Sequence, residues 1–163
     1  MPILDAIDLY RFYHIGDSET LALRGVSLQI AAGETVAVMG PSGSGKSTLL
    51  ACLCGLDEPD GGVVELLGRR MSRRPERERA AMRAASIGVL LQAGNLFGHL
   101  SVANNIRLSM RLAGRRDERR LTDLLEQVGL SDRRHAHPPE LSGGEAARAG
   151  LAVALATAPA LLL

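Results

Sequence analysis

The stretch "GPSGSGKST", residues 40–48, decides the fold. It fits the pattern G-x-x-x-x-G-K-[ST], in which glycines let backbone N–H groups turn inward around a polyphosphate. The residues before it, "ETVAVMG", are predicted to form a buried strand, and those after it, "KSTLLACLCGL", an apolar helix that offers its positive N-terminal end to the same anion. The alternative is a plain glycine turn between strand and helix, but such a turn does not require Lys-Ser-Thr at its end.

Two residues carry the chemistry of this motif. Lys46 is suited to neutralise the β- and γ-phosphates of a nucleotide, and the hydroxyl of Ser47 is suited to bind Mg²⁺. Lys46 is the only lysine in a chain that otherwise uses arginine, and the two cations are not interchangeable where a compact point charge is wanted. The residues expected to hold the nucleotide's phosphates are Gly40, Pro41, Ser42, Gly43, Ser44, Gly45, Lys46, Ser47 and Thr48.

The bulk composition indicates one soluble domain or most of one. The chain has 163 residues and a net charge of +1, which gives no case for nucleic acid or for an acidic membrane surface. Its longest apolar stretch, residues 150–163, contains Pro159 and is shorter than the roughly 20 residues of a spanning helix. Cys52 and Cys54 lie two apart in a predicted helix, so they would not pair, and free thiols fit a reducing compartment.

The order of predicted elements indicates an α/β fold. Predicted strands dominate the first half, and predicted helices dominate the second. In one of those helices Leu121, Leu124, Leu125 and Val128 recur at the spacing of an amphipathic face. We expect a phosphate-loop core, an antiparallel β lobe over about residues 1–35 and 62–68, and a helical lobe over about residues 93–150.

A second constellation, "LSGGE", lies at residues 141–145. Taken alone, Ser142 and Glu145 form an S-x-x-E capping box that begins a helix. Together with the phosphate loop about a hundred residues earlier, the pentapeptide resembles the signature motif of the ATP-binding cassette (ABC) family. The resemblance covers the whole chain, and "ALRGVSLQIAAGE" and "AAMRAASIGVLLQ" are most similar to the lipoprotein-releasing and macrolide-exporter ATPases.

The resemblance assigns roles to two further residues. Tyr13 lies where the family has an aromatic residue that stacks on adenine, and Gln92 where it has the glutamine that contacts Mg²⁺ and the attacking water and faces the membrane subunit. Without the family context, Tyr13 would be an ordinary strand aromatic and Gln92 a polar strand end.

The signature helix also departs from the family pattern. Ala146 and Ala147 replace two common glutamines, and an arginine usual near Val153 is absent, whereas Arg148 is retained. These changes lie in the signature helix rather than at its phosphate-facing tip.

The resemblance implies an ATP-binding subunit of an ABC transporter, which binds ATP and Mg²⁺ and hydrolyses ATP to drive transport through integral membrane permease subunits. It would lie in the cytoplasm, peripherally on the cytoplasmic face of the membrane. Two copies would associate head to tail, so that the signature of one closes on the γ-phosphate held by the other. The residues expected to act in trans are Ser142, Gly143, Gly144 and Glu145.

The end of the sequence raises a question about completeness. In the family, a strand of four apolar residues after the signature helix precedes Asp-Glu, the acidic pair of the Walker B motif, and residues 160–163 supply most of that strand. We therefore expect one partial domain, with 1–92 as β lobe and nucleotide core, 93–150 as helical subdomain and 151–163 as the start of the Walker B strand. We expect no ATP hydrolysis by this chain, because Lys46 and Gln92 would position phosphate and metal but no carboxylate would orient the attacking water. We also expect the "TVAVM" strand to have an unpaired apolar edge.

Two alternative functions stay open at this point. One is a non-transport ABC ATPase, although such proteins usually carry a coiled-coil insertion or a second cassette. The other is a truncated remnant that does not hydrolyse ATP. His135 and His137 are interpreted as loop residues rather than metal ligands, and the arginines of residues 69–83 as a solvated face.

Overall fold

The computed structural model describes residues 2–15 and 18–163. The chain forms two compact units, Met1–Ala80 and Ala81–Leu163. This is a division by packing, and the functional division at residues 92 and 150 stays a prediction. None of the described helices is long and apolar enough to cross a membrane.

The first unit is built on a four-stranded antiparallel sheet, in agreement with the predicted antiparallel β lobe. Its strands follow the order β2-β1-β3-β4, where the bounds are β1 Leu4–Ile15, β2 Ser18–Ile30, β3 Gly61–Leu66 and β4 Arg69–Arg70. The buried apolar residues of β1 and β3 include Leu4, Ala6, Leu9, Val64 and Leu66, and the step from Ala6 to Leu9 crosses an irregularity in the register of β1.

Helix α1, Lys46–Leu53, follows the glycine-rich loop as predicted. Leu49, Cys52 and Leu53 are its buried residues. Cys52 and Cys54 are both buried free thiols, and burial raises the pKa of Cys52 to about 12. The cysteines therefore act as small apolar core residues.

The segment before the loop differs from the prediction. Residues 35–39, "TVAVM", form no strand, and Val36, Val38 and Met39 are 38%, 36% and 88% exposed. A parallel-type strand is stable only when neighbours take up its backbone groups, and neither sheet of the described residues includes this segment. The prediction of a buried strand is therefore wrong for this chain, although its apolar composition was read correctly.

The second unit is mainly helical. Helix α2, Glu76–Ser86, leads into it across the boundary between the units. The remaining helices are α3 Val102–Leu112, α4 Glu118–Gln127 and α5 Gly143–Leu155, and 3₁₀ turns lie at Ser131–Arg133 and Pro138–Glu140.

The core of this unit lies between α3, α4 and α5. The predicted apolar face of α4 is confirmed, because Leu121, Leu124 and Leu125 are at most 3% exposed. Ala149 and Ala152 of α5 are fully buried against the same cluster. The small side chains of α5 let its backbone come close to the neighbouring helices.

The second unit also contains a short pair of parallel strands. Strand β5, Ile87–Gly88, pairs with β6, Leu161–Leu162. The predicted strands at "SIGVLLQ" and at the end of the sequence are thus present over two residues each. Helix α5 runs to Leu155, so the segment 151–163 begins with the last turn of that helix and not with a strand.

Gly88 marks the closest approach between β5 and α5. A Cβ there would overlap the carbonyl oxygen of Ala154 and lie 3.0 Å from Leu162 Cδ1. We expect Gly88→Ala to lower the free energy of unfolding by about 1–3 kcal/mol through overpacking. Urea denaturation would measure the change. Gly98→Ala is the matched control, because a Cβ at Gly98 meets nothing within 4 Å, and equal losses in both variants would contradict the close packing.

Candidate functional site

The glycine-rich loop turns tightly against β2. Gly40, Gly43 and Gly45 have φ values of 156°, 79° and 89°, which L side chains rarely adopt. A Cβ at Gly45 would also overlap the carbonyl oxygen of Ala22 in β2. The loop can follow this path only with glycine at its last position.

Lys46 spans the loop. Its Nζ donates to the carbonyl oxygens of Gly40 at 2.8 Å and Pro41 at 2.6 Å. An ammonium group has three donors, and the third makes only a 3.4 Å contact with Ser44 Oγ. The two short bonds hold the charge at the mouth of the loop, and a donor remains for an anion.

The N-terminus of α1 is open. Its N-cap, Gly45, provides no side-chain hydrogen bond, and the first turn carries no acidic residue. The first backbone N–H groups and the positive end of the helix dipole therefore lack a side-chain counterpart. A cavity of about 510 Å³ lies beside the loop and is lined by residues 21–24, 38–41 and 43–46, among others. This volume lies within the range of small-molecule sites.

Tyr13 is fixed by a charged network that includes Asp57, which follows α1. Its hydroxyl donates to Asp57 Oδ2 at 2.7 Å, and the guanidinium carbon of Arg11 lies 4.9 Å from the ring centroid. Arg11 binds Asp57 at 2.8 Å and Asp60 at 3.1 Å. The hydrogen bond from the Tyr13 hydroxyl, followed by the Arg11 guanidinium, holds the pKa of Asp57 below its usual range. Tyr13 itself is not among the residues that line the cavity. Its adenine-stacking role therefore stays a prediction.

Gln92 lies exposed in the second unit, within a turn that the sequence did not reveal. The side-chain amide of Asn95 closes this turn: its Oδ1 accepts from the Leu91 N–H at 2.7 Å, and its Nδ2 donates to the Leu91 carbonyl at 2.6 Å. A Cβ at Gly150 of α5 would lie 2.8 Å from Asn95 Cβ. The turn that carries Gln92 is therefore packed directly against α5.

Ala146 and Ala147 also lie beside this turn. They line a cavity of about 390 Å³ together with Gln92 and Gly143. Their methyl groups occupy less space than the two glutamines common in the family. The two alanines therefore change the lining of the cavity beside Gln92, whereas Ser142 is the residue that the family pattern has.

The N-terminus of α5 carries a capping box, and the two glycines that follow Ser142 are exposed. Ser142 Oγ accepts from the Glu145 N–H at 3.3 Å, and Glu145 Oε2 accepts from the Ser142 N–H at 2.8 Å. The capping box read from the sequence is therefore present. Gly143 and Gly144 are exposed, and a Cβ at Gly143 would meet nothing within 4 Å. Backbone N–H groups at this tip are accessible to an incoming anion.

The capping box gives the tip an acid-sensitive element. Hydrogen bonds from Ser142, followed by Arg133 Nε at 3.0 Å, lower the pKa of Glu145 to about 2. Because the folded pKa is depressed, the carboxylate contributes stability above its unfolded pKa of about 4.5, and this contribution is lost as the pH falls towards 2. We expect Glu145→Gln to flatten the loss of thermal stability between pH 4.5 and 2. Circular dichroism melts over that range would show it, and an unchanged acid limb would contradict the assignment.

A glycine-rich loop that precedes an open helix N-terminus, with a lysine bound to the loop's carbonyl oxygens, defines a nucleotide-binding protein of the phosphate-loop class. The sequence profile of the family described as ABC transporter matches residues 23–163. The chain therefore belongs to the ABC transporter family, as the two motifs predicted.

Similar proteins include both importers and exporters. The chain is 42% identical, over 99% of its length, to an uncharacterized ABC transporter ATP-binding protein of Thermotoga maritima, a methionine import ATP-binding protein MetN of Thermobifida fusca and a macrolide export ATP-binding/permease protein MacB of Chlorobium luteolum. It spans 70%, 51% and 24% of these relatives, respectively. The equal identities do not separate import from export.

Solved structures give the same family. The chain resembles an ATP-binding cassette in a dimeric post-hydrolysis state bound to ADP and Pi, with a TM-score of 0.90 and 31% identity, covering 98% of this chain and 72% of that one. A second dimeric structure of that cassette matches with a TM-score of 0.88. The predicted fold class, a phosphate-loop core with an antiparallel β lobe and a helical signature subdomain, is confirmed.

Proposed function

We propose that the chain binds ATP with Mg²⁺ as the ATP-binding part of an ABC transporter. The observation that carries this proposal is Lys46, whose ammonium group is held by two loop carbonyls at the open N-terminus of α1. In that position it meets the β- and γ-phosphates, while the N–H groups of residues 43–48 surround them.

Ser47 suits a magnesium ion, because it offers a hydroxyl oxygen in the first turn of α1. The family resemblance adds Gln92, whose amide oxygen is a ligand of the kind Mg²⁺ takes. No carboxylate is among the residues that line the phosphate-loop cavity in the described part of the chain. The ion would take its other ligands from phosphate oxygens and water, and it would neutralise charge on the phosphates.

Dimerisation would complete the site. Ser142, Gly143 and Gly144 of one copy would cover the γ-phosphate held by the other, as the open tip of α5 and the dimeric state of a similar cassette support. Glu145 would not repel the phosphate, because its carboxylate is turned back to the Ser142 N–H and to Arg133.

The transport role and location are inferred from the relatives. We propose that membrane permease subunits hold the chain at the cytoplasmic face and use ATP-driven closure of the dimer, and we propose no role for nucleic acid. The second candidate is a chain that binds ATP but does not hydrolyse it alone. This candidate follows from the expectation that Lys46 positions phosphate while a carboxylate is needed to orient the attacking water.

Competition against a fluorescent ATP analogue tests nucleotide binding. ATP and ADP should displace the analogue from the 163-residue chain in the presence of Mg²⁺, and adenosine should not, because the site is built around phosphate. Displacement by adenosine at the same concentration as ATP would contradict the proposal, and so would the absence of any binding.

A further inference from the structure

The second unit contains a basic cavity that the proposed function does not use. It has a volume of about 210 Å³ and lies where α3 ends and α4 begins. We call it the arginine pocket, and its charged lining residues are Arg107, Arg111, Arg115, Arg116, Asp117 and Glu118. The buried side chain of Met110 also lines it.

Glu118 is already neutralised by arginines. Arg107 donates to its two carboxylate oxygens at 2.6 and 2.8 Å, and Arg134 donates at 3.1 Å. These partners hold the pKa of Glu118 below its usual range, mainly through the hydrogen bond from Arg107. Glu118 therefore has little remaining capacity to neutralise the other arginines of the pocket.

Asp117 is engaged in a different way. Its Oδ1 accepts from the Arg120 N–H at 2.9 Å and caps the first turn of α4. The carboxylate thus serves the helix end, and no arginine of the pocket donates to it among the described residues.

The remaining arginines have unused donors. The side chains of Arg111 and Arg116 form no hydrogen bond or ion pair with any residue that the structure describes, although the charge of Arg111 contributes to the lowered pKa of Glu118. Arg115 uses Nη1 to donate to the Thr157 carbonyl, but its other guanidinium donors have no such partner. Four arginines and two carboxylates leave the pocket with an excess of two positive charges, in a chain whose net charge is only +1.

We propose that the arginine pocket binds a single phosphoryl group. Guanidinium groups match phosphate oxygens through paired, charge-assisted hydrogen bonds. The volume is below the roughly 300 Å³ at which drug-sized ligand sites begin, so it fits one phosphate rather than a whole nucleotide. No aromatic residue lines it to stack a base. The phosphoryl group belongs either to free phosphate or to the headgroup of an anionic phospholipid.

A ligand in the arginine pocket would also affect the end of α5, because Arg115 of the pocket is bonded there. Arg115 holds the Thr157 carbonyl, and Arg120 donates to the carbonyls of Leu155 at 2.6 Å and Ala156 at 2.9 Å. These bonds help to satisfy the carbonyls at and just after the end of α5; the Leu155 carbonyl also accepts from the Ala158 N–H. A ligand that fixes Arg115 would therefore raise the melting temperature of the chain, as any ligand of the folded state does.

The test uses the Lys46→Ala chain, so that phosphate cannot be held by the glycine loop. In this background, Arg111→Gln/Arg116→Gln is compared with Arg77→Gln/Arg119→Gln, which removes the same charge at exposed positions outside the pocket. One arm titrates inorganic phosphate by calorimetry. The other arm measures flotation with phosphatidylglycerol vesicles against phosphatidylcholine vesicles.

We expect at least tenfold weaker binding in the pocket variant, in one arm or in both, with the control variant unchanged. Loss in the phosphate arm alone identifies a free anion, and loss in the vesicle arm alone identifies a lipid headgroup. Equal binding by both variants, or no binding in either arm by the Lys46→Ala chain, would overturn the proposal. If the double variant does not fold by circular dichroism, Arg116→Gln alone, outside α3 and α4, takes its place.

Discussion

Lys46→Ala is expected to weaken ATP binding about 100-fold. The substitution removes the ammonium group that the Gly40 and Pro41 carbonyls hold at the loop. A hydrogen bond to a charged group contributes about 1.5–3 kcal/mol, and every 1.4 kcal/mol is a factor of ten in affinity. Titration of the fluorescent ATP analogue into both chains would measure the loss.

Two further variants make this result specific. Lys46→Arg should also bind poorly, because a planar guanidinium does not replace a compact ammonium between two loop carbonyls. Arg119→Ala should bind like the unchanged chain, since Arg119 is exposed on α4 and outside the cavity. Equal affinity in Lys46→Ala and the unchanged chain would reject the assignment of the phosphate loop.

Features encoded by neighbouring residues were predicted well. The path of the loop follows from Gly40, Gly43 and Gly45, whose positive φ values are a property of the residue type. The buried face of α4 follows from its apolar period, and the start of α5 follows from its capping box. In each case the residues that determine the local structure lie close together in the sequence.

Features that depend on distant partners were not predicted. The apolar run at residues 35–39 was read as a strand, but a strand exists only where other strands take up its backbone groups, and none of the described ones does. The roles of Asn95 and Asp57 were missed for the same reason. Each acts through hydrogen bonds whose partners cannot be read from residue spacing. A polar residue near a glycine-rich segment or at the end of a strand does, however, indicate a candidate for such a role.

The candidate site shows the same contrast on a larger scale. The sequence identified Lys46 and Ser142 by motif, and the structure places each at the N-terminus of a helix, where an anion is favoured. In the proposed head-to-tail dimer, Lys46 of one chain and Ser142 of the other would meet on one nucleotide. An intermolecular measurement is therefore required to test the role of Ser142.

Ser142→Arg is expected to abolish ATP-dependent dimerisation while ATP binding by the monomer changes less than about twofold. The open space beside Gly143 is where the partner's γ-phosphate would approach, and a long side chain there would prevent the close contact. Ser142 is not among the residues that line the cavity beside the phosphate loop, so we expect binding to the chain's own loop not to depend on it. Size-exclusion chromatography with ATP in magnesium-free buffer would show the dimer peak of the unchanged chain and its loss in the variant.

The controls for this variant separate steric exclusion from loss of the cap and from added charge. Ser142→Asn keeps an N-cap oxygen of similar strength and should retain part of the dimer. Ser131→Arg adds the same charge at an exposed serine of the 3₁₀ turn Ser131–Arg133 and should dimerise normally. If Ser142→Arg dimerises as fully as Ser131→Arg, the tip of α5 is only a helix cap, because a residue that covers a partner's phosphate does not tolerate a side chain of that size.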